Sequence, residues 1–72
     1  MIEIERDVEM EVLHRDGIYT FEKVDIIHIF GGDYTMEMDS DTITITVDGM
    51  TDCFSTNDFP KRTYIETHIV NE

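Results

Sequence analysis

From Ile2 to Leu13 the chain alternates. Ile2, Ile4, Val8, Met10 and Val12 hold one parity, interrupted by Arg6, and Glu3, Glu5, Asp7, Glu9 and Glu11 hold the other. A period of two marks a strand with one buried and one wet face, because successive side chains leave opposite sides of a sheet. The pattern predicts a strand over about 2–13 that buries an aliphatic row and displays five carboxylates in a line. Asp16-Gly17 supplies turn chemistry for a hairpin, and Ile18 to Phe21 reads as its return strand. Val24 to Phe30 is apolar on both parities and rich in β-branched residues, which fits a strand covered on both faces. Gly31-Gly32-Asp33 reads as a hairpin connection into Tyr34–Met38, with Tyr34, Met36 and Met38 on one face. Thr42 to Val47 alternates again, Asp48-Gly49 is a strong hairpin signal, and Met50 to Phe54 forms a short strand. Ser55 to Arg62 carries Asn57, Asp58 and Pro60 and reads as a loop with room for one helical turn; Tyr64 to Val70 closes the chain as a strand.

Short strands at close, regular spacing predict an all-β fold: a small antiparallel meander of five to seven strands, built as a twisted sheet or a small barrel. The competing reading is α+β, with one helix near 21–30. Seventy-two residues make one acidic β domain spanning 1–72. A chain of this size buries only about 60% of its unfolded surface, so the core is thin and a deep, walled substrate cleft is hard to build.

Charge narrows the choice of partner. Seventeen acidic against five basic residues give a formal charge of −12, and no Lys or Arg occurs from Val24 to Pro60. Neutralising phosphate needs Lys or Arg, so direct binding to nucleic acid or to an anionic membrane is not expected. The one cysteine, Cys53, has no internal disulfide partner, the N-terminus lacks a signal-peptide pattern, and Ile26–Phe30 is too short to span a bilayer. The expected location is cytoplasmic, that of the host cell if the chain is phage-encoded.

The candidate chemistry is sparse. Alternate residues on a strand lie about 6.6–6.8 Å apart, whereas phosphates recur every ~3.4 Å along one nucleic-acid strand. One carboxylate row is therefore too dilute to copy a phosphate backbone. A second row, drawn from the acidic stretch Asp25 to Asp58, would have to lie beside Glu3, Glu5, Asp7, Glu9 and Glu11. Tyr34 with Met36 and Met38 supplies either core or a soft apolar anchor inside an acidic rim. Asp39-Ser40-Asp41 begins like a calcium loop but lacks the later ligands. Cys53, His14, His28 and His68 fit no short zinc spacing, so neither a metal nor a cofactor is expected. His28, set among Ile26, Ile27, Ile29 and Phe30, reads as a hydrogen-bonded core or interface histidine, and His68 as solvent-facing with Tyr64 and Glu66. No flanking motif supports a nucleophile or an acid–base pair, and acids on an exposed strand lack the desolvation that tunes a catalytic carboxylate. Catalysis is not expected.

In size, acidity and β-patterning the chain resembles, as a type, the host-directed proteins of bacteriophages: anti-CRISPR, anti-restriction and polymerase-binding inhibitors. That resemblance implies an inhibitor or regulator that occupies a basic surface of a nucleic-acid-handling protein in the manner of a DNA mimic. Its partner surface would comprise Glu3, Glu5, Asp7, Glu9, Glu11, Asp33, Tyr34, Glu37, Asp39 and Asp41. The alternative is a structural or assembly protein that self-associates, for instance as a homodimer, through an exposed strand edge at Thr42–Val47 or Tyr64–Val70.

Overall fold

A computed structural model describes residues 1–69. The order is β1 (Ile2–Leu13), β2 (Tyr19–Phe30), β3 (Tyr34–Met38), β4 (Thr42–Val47), β5 (Met50–Ser55), a 3-10 turn over Thr56–Asp58, and β6 (Thr63–His68). The fold is all-β. Residues 21–30 lie within β2, so the α+β alternative is set aside: both parities are apolar there because both faces of this central strand are covered. The return strand and the apolar run that follows it, expected as two segments, are one continuous strand of 12 residues.

The strands form two three-stranded sheets, ordered β1-β2-β6 and β3-β4-β5. β1–β2, β3–β4 and β4–β5 pair antiparallel as three hairpins. β2 and β3 lie in different sheets, so the hairpin expected at Gly31-Gly32-Asp33 is instead the crossing from one sheet to the other. β6 departs from the pattern by returning parallel to β2. Because β4 lies between β3 and β5, the Thr42–Val47 edge expected from the sequence does not exist; the edges of that sheet are β3 and β5. β6 is an edge strand over Thr63–His68, ending before Ile69, which was expected within it; Val70 lies outside the described residues.

Turn chemistry fixes the hairpins. Gly17 at φ 85° closes the β1–β2 loop, where the His14 N–H donates to the Ile18 carbonyl and the Gly17 N–H donates to the His14 carbonyl. Asp48 and Gly49 both have positive φ, the backbone of a two-residue type I′ turn, with Val47 paired to Met50 across it. Gly31 is fixed by proximity. A Cβ there would lie 2.6 Å from Val47 Cγ1 and 2.7 Å from Asp48 Oδ2. Gly31→Ala is therefore expected to lower stability by about 1–3 kcal/mol through overpacking, whereas Gly32→Ala, which meets nothing within 4 Å, is a matched control in urea unfolding.

Two apolar clusters hold the sheets. In the first, Ile27 and Ile29 of β2 pack against Ile43, Ile45 and Val47 of β4, flanked by Ile2, Ile4, Phe54, Phe59 and Ile65. The second joins Val12, Val24 and Ile26, with Val8 and Met10 against them. Val24 and Ile26 leave β2 on the face opposite Ile27 and Ile29, so the two clusters lie on opposite faces of the β1-β2-β6 sheet.

β1 serves both clusters by changing faces. Ile2 pairs with Ile29 and Ile4 with Ile27, but Val8 pairs with Val24, so Arg6 and Asp7 together stand opposite the single residue Asp25. This is a β-bulge, with Asp7 at φ 56°. The extra residue reverses which face each later side chain of β1 occupies.

Candidate functional site

The bulge governs where the acids go. Glu3 pairs with His28 and Glu5 with Ile26, on the face of the second cluster; Glu9 pairs with Lys23 and Glu11 with Phe21, on the opposite face. All five acids of β1 are exposed, yet the single line expected from the alternation is not formed. Even numbering along β1 conceals the reversal, since Ile4 and Val8 keep the same parity. Glu5-Arg6-Asp7, three consecutive polar residues, was the local signal for it.

Asp25 pins the bulge. Its side chain is 3% exposed and accepts from the Arg6 guanidinium (Nη1, 3.0 Å) and from the Asp7 backbone N–H (3.2 Å). Arg6 also donates to the Asp58 carbonyl at 2.6 Å and lies 4.5 Å from the centre of the Phe59 ring. Lys61 pairs with the Asp7 carboxylate, and the Asp25 N–H donates to the Arg62 carbonyl. Asp7 is therefore partly committed to a cation of its own chain, and Asp25, one of eight acids in the cation-free stretch, is removed from the surface altogether.

The remaining predicted partner residues are dispersed. Asp33 and Tyr34 line a shallow groove with Thr35, Thr46, Asp48 and Gly49 at one end of the β3-β4-β5 sheet. Glu37 sits opposite Thr44, which pairs on to Cys53, on the outward face of that sheet. Asp39 is occupied by structure: its Oδ1 accepts from the N–H groups of Asp41 and Thr42, closing the β3–β4 turn. The Asp41 carbonyl accepts from the Thr56 N–H. Tyr34, Met36 and Met38 point to the core-facing side, as their pairing with Val47, Ile45 and Ile43 requires. They nevertheless stay 46%, 39% and 63% exposed, because β3 overhangs as an edge.

Two groupings bring chemistry together. On the distal half of the β1–β2 hairpin, Phe21 is 71% exposed, Tyr19 59% and Leu13 56%. They share a face with Glu9 and Glu11, since Glu11 stands opposite Phe21 and Leu13 opposite Tyr19. Lys23, opposite Glu9, offsets part of that charge. Composition does not reveal this pairing of aromatics and acids; it depends on the bulge.

The second grouping lies on the other face, at the far end of β2. His28 Nδ1 is 3.0 Å from His68 Nε2, and His28 Nε2 is 3.0 Å from Glu5 Oε1. His68 Nε2 is 3.6 Å from Glu66 Oε1. The His68 ring stacks on Phe30, with centroids 4.4 Å apart and planes 12° apart. His28 is the hydrogen-bonded, largely buried histidine expected from its apolar neighbours. His68 shares a face with Glu66, as expected, but turns inward to His28. The parallel β2–β6 register, which sets His28 opposite Glu66 and Phe30 opposite His68, causes the convergence. Forty residues separate the histidines, so no ligand spacing in the sequence could announce it.

Comparison with protein-family models, with curated proteins and with solved structures finds no match to this chain. Among the described residues, no helix is long and apolar enough to cross a membrane.

Proposed function

We propose that this chain is a binding module that occupies a basic surface of another protein, of the kind nucleic-acid-handling proteins present, and so inhibits or regulates it. The observation that carries the reading is the distal hairpin face, where exposed Phe21, Tyr19 and Leu13 lie directly beside Glu9 and Glu11. Apolar side chains grouped on the surface of a small domain mark interaction sites more often than chance exposure. Aromatic anchors supply most of the affinity of an interface, and surrounding charges steer association and set register. With −12 formal charge, the long-range field of the molecule attracts a cationic surface and repels an anionic one. The split of the β1 acids favours charge complementarity around an apolar anchor over point-by-point imitation of a phosphate row.

The experiment is capture from host lysate at low and high salt, with the bound proteins identified, repeated with two sets of variants. Basic nucleic-acid-binding proteins are expected in the low-salt eluate and absent at high salt. Phe21→Ala should weaken recovery by roughly tenfold or more, the loss of a hot-spot anchor, and the pair Glu9→Lys with Glu11→Lys should abolish it. Glu3→Lys with Glu5→Lys, on the opposite face, should leave it largely intact. Equal loss from both acid pairs would reject the hairpin face, and an eluate without basic proteins would reject the partner class.

The position of β6 at the edge of its sheet supports a second reading, self-association by strand addition. Salt separates the two by sign. Screening weakens the grip on a basic partner but relieves repulsion between two chains of −12 each, so a homodimer should tighten as salt rises.

A further inference from the structure

We propose that His28, His68 and Glu66 form a binding site for a divalent transition-metal ion, with Zn2+ the best match. The inference concerns the face opposite the distal hairpin surface and does not depend on the partner proposed above. Its basis is the convergence of three ligand atoms, His28 Nδ1, His68 Nε2 and one Glu66 carboxylate oxygen, all within 4.8 Å of one another. Bonds of about 2.0–2.1 Å to a tetrahedral Zn2+ place the ligand atoms about 3.3–3.4 Å apart. The 3.0 Å between the two imidazole nitrogens and the 3.6 Å from His68 to Glu66 bracket that separation. Closing the triangle needs a movement of Glu66, whose side chain is exposed, and a parting of the two imidazoles by a few tenths of an ångström as both turn to the ion.

The surroundings orient both imidazoles for this role. Glu5 Oε1 lies 3.0 Å from His28 Nε2, so the carboxylate holds the ring proton on that nitrogen and leaves the Nδ1 lone pair directed at His68. A carboxylate behind a ligating histidine fixes its tautomer and raises its basicity, the usual support of a bound zinc. Phe30, stacked on His68, fixes the plane of the second ring. Glu3, opposite His28 across the β1–β2 pair, adds negative charge on the same face.

Two nitrogen donors and one oxygen donor select against Ca2+ and Mg2+, which take oxygen ligands, and suit Zn2+. Three protein ligands leave the fourth tetrahedral position to water, on the side where Glu66 and His68 reach solvent. Without metal, the short His28–His68 approach is a hydrogen bond in which His68 Nε2–H donates to His28 Nδ1. Binding moves that His68 proton to its Nδ1, through solvent, and frees Nε2 for the ion, so neutral rings give up no net proton.

The test is titration of the full, tag-free chain with Zn2+ in a non-chelating buffer, read by calorimetry and by the imidazole nitrogen signals in NMR. The expected result is one equivalent bound, with His28 reporting through Nδ1 and His68 through Nε2, and with the midpoint of thermal unfolding rising as Zn2+ is added. A large excess of Ca2+ should not displace the ion. His68→Ala and Glu66→Gln, both at partly or fully exposed positions, should each remove most of the affinity. Glu5→Gln, nearly isosteric, should lower it by about 10–100-fold, the usual effect of losing a carboxylate behind a metal-bound histidine. His14→Ala, at the other end of the hairpin, should change nothing. Absence of stoichiometric uptake, displacement by Ca2+, or equal uptake by the His68 and Glu66 variants would overturn the proposal and leave a plain Glu5–His28–His68 hydrogen-bond chain.

Discussion

Replacing Arg6 by Met should destabilise the domain by about 3–5 kcal/mol, the usual consequence of stripping the partner from a buried charge. Asp25 is 2% exposed and cannot turn its carboxylate to water. Without Arg6 it keeps, among the described residues, only the Asp7 N–H at 3.2 Å. A domain of 72 residues has a total stability of about 4–11 kcal/mol, so the variant should be largely unfolded at modest urea. The reciprocal change is milder. Asp25→Asn retains an acceptor for the Asp7 N–H, and Arg6, whose side chain is 44% exposed, can turn to solvent; about 1–3 kcal/mol is expected. Arg6→Met combined with Asp25→Asn should therefore recover part of the stability lost in Arg6→Met alone, because no buried charge remains. Urea unfolding followed by circular dichroism, with an unchanged slope across the four proteins, measures the cycle. Strict additivity would mean that the pair does not hold the bulge.

Arg6 also shows what the sequence made legible and what it hid. Its intrusion into the apolar parity of β1 was visible, as was an aspartate inside the apolar run of β2, but neither announces the other across 19 residues. Strand positions and hairpin turns could be read because they rest on local rules: period-two alternation, positive φ at Gly17, Asp48 and Gly49, and apolar runs of strand length. The faces could not. They depend on register, and register here depends on one inserted residue whose partner is a buried side chain on another strand. The parallel return of β6 is non-local in the same way, and with it the meeting of His28 and His68. The same two facts explain why the acids mislead when counted along the chain. Asp25 is internal, Asp39 closes a turn, Asp7 has Lys61, and the other β1 acids divide between two faces.

Inserting a glycine between Asp7 and Val8 should largely unfold the domain, although it adds no side chain and Asp7 beside it is exposed. The bulge already holds one extra residue, and with a second β1 can keep its pairing with β2 at only one end. If Ile2 and Ile4 stay opposite Ile29 and Ile27, then Val8, Met10 and Val12 turn to the face of Phe21 and Tyr19, and Val24 and Ile26 lose their cover. If the distal half is kept, Ile2 and Ile4 leave the main cluster instead. Each buried aliphatic or methionine side chain is worth about 1.5–3 kcal/mol, so either loss consumes most of what the domain has to spare. Changes that add no residue should behave in the opposite way. Deleting Asp7 leaves Arg6 opposite Asp25 and Val8 opposite Val24 in an unbroken ladder, so both ends keep their faces and the chain should stay folded. Asp7→Gly keeps the residue count and suits φ 56° better than any side chain. It gives up the exposed pair with Lys61, worth about 0–1 kcal/mol, and should remain within about 1 kcal/mol of the parent. Circular dichroism and amide NMR dispersion of the three proteins separate the effects. A folded insertion variant would mean that the bulge takes up a second residue without shifting either end; an unfolded Asp7→Gly would mean that the aspartate side chain sets the register. Glu9 and Glu11 meet Phe21 because the bulge absorbs one extra residue and no more, so the proposed docking surface depends on chain length at this point and not on the charge of Asp7.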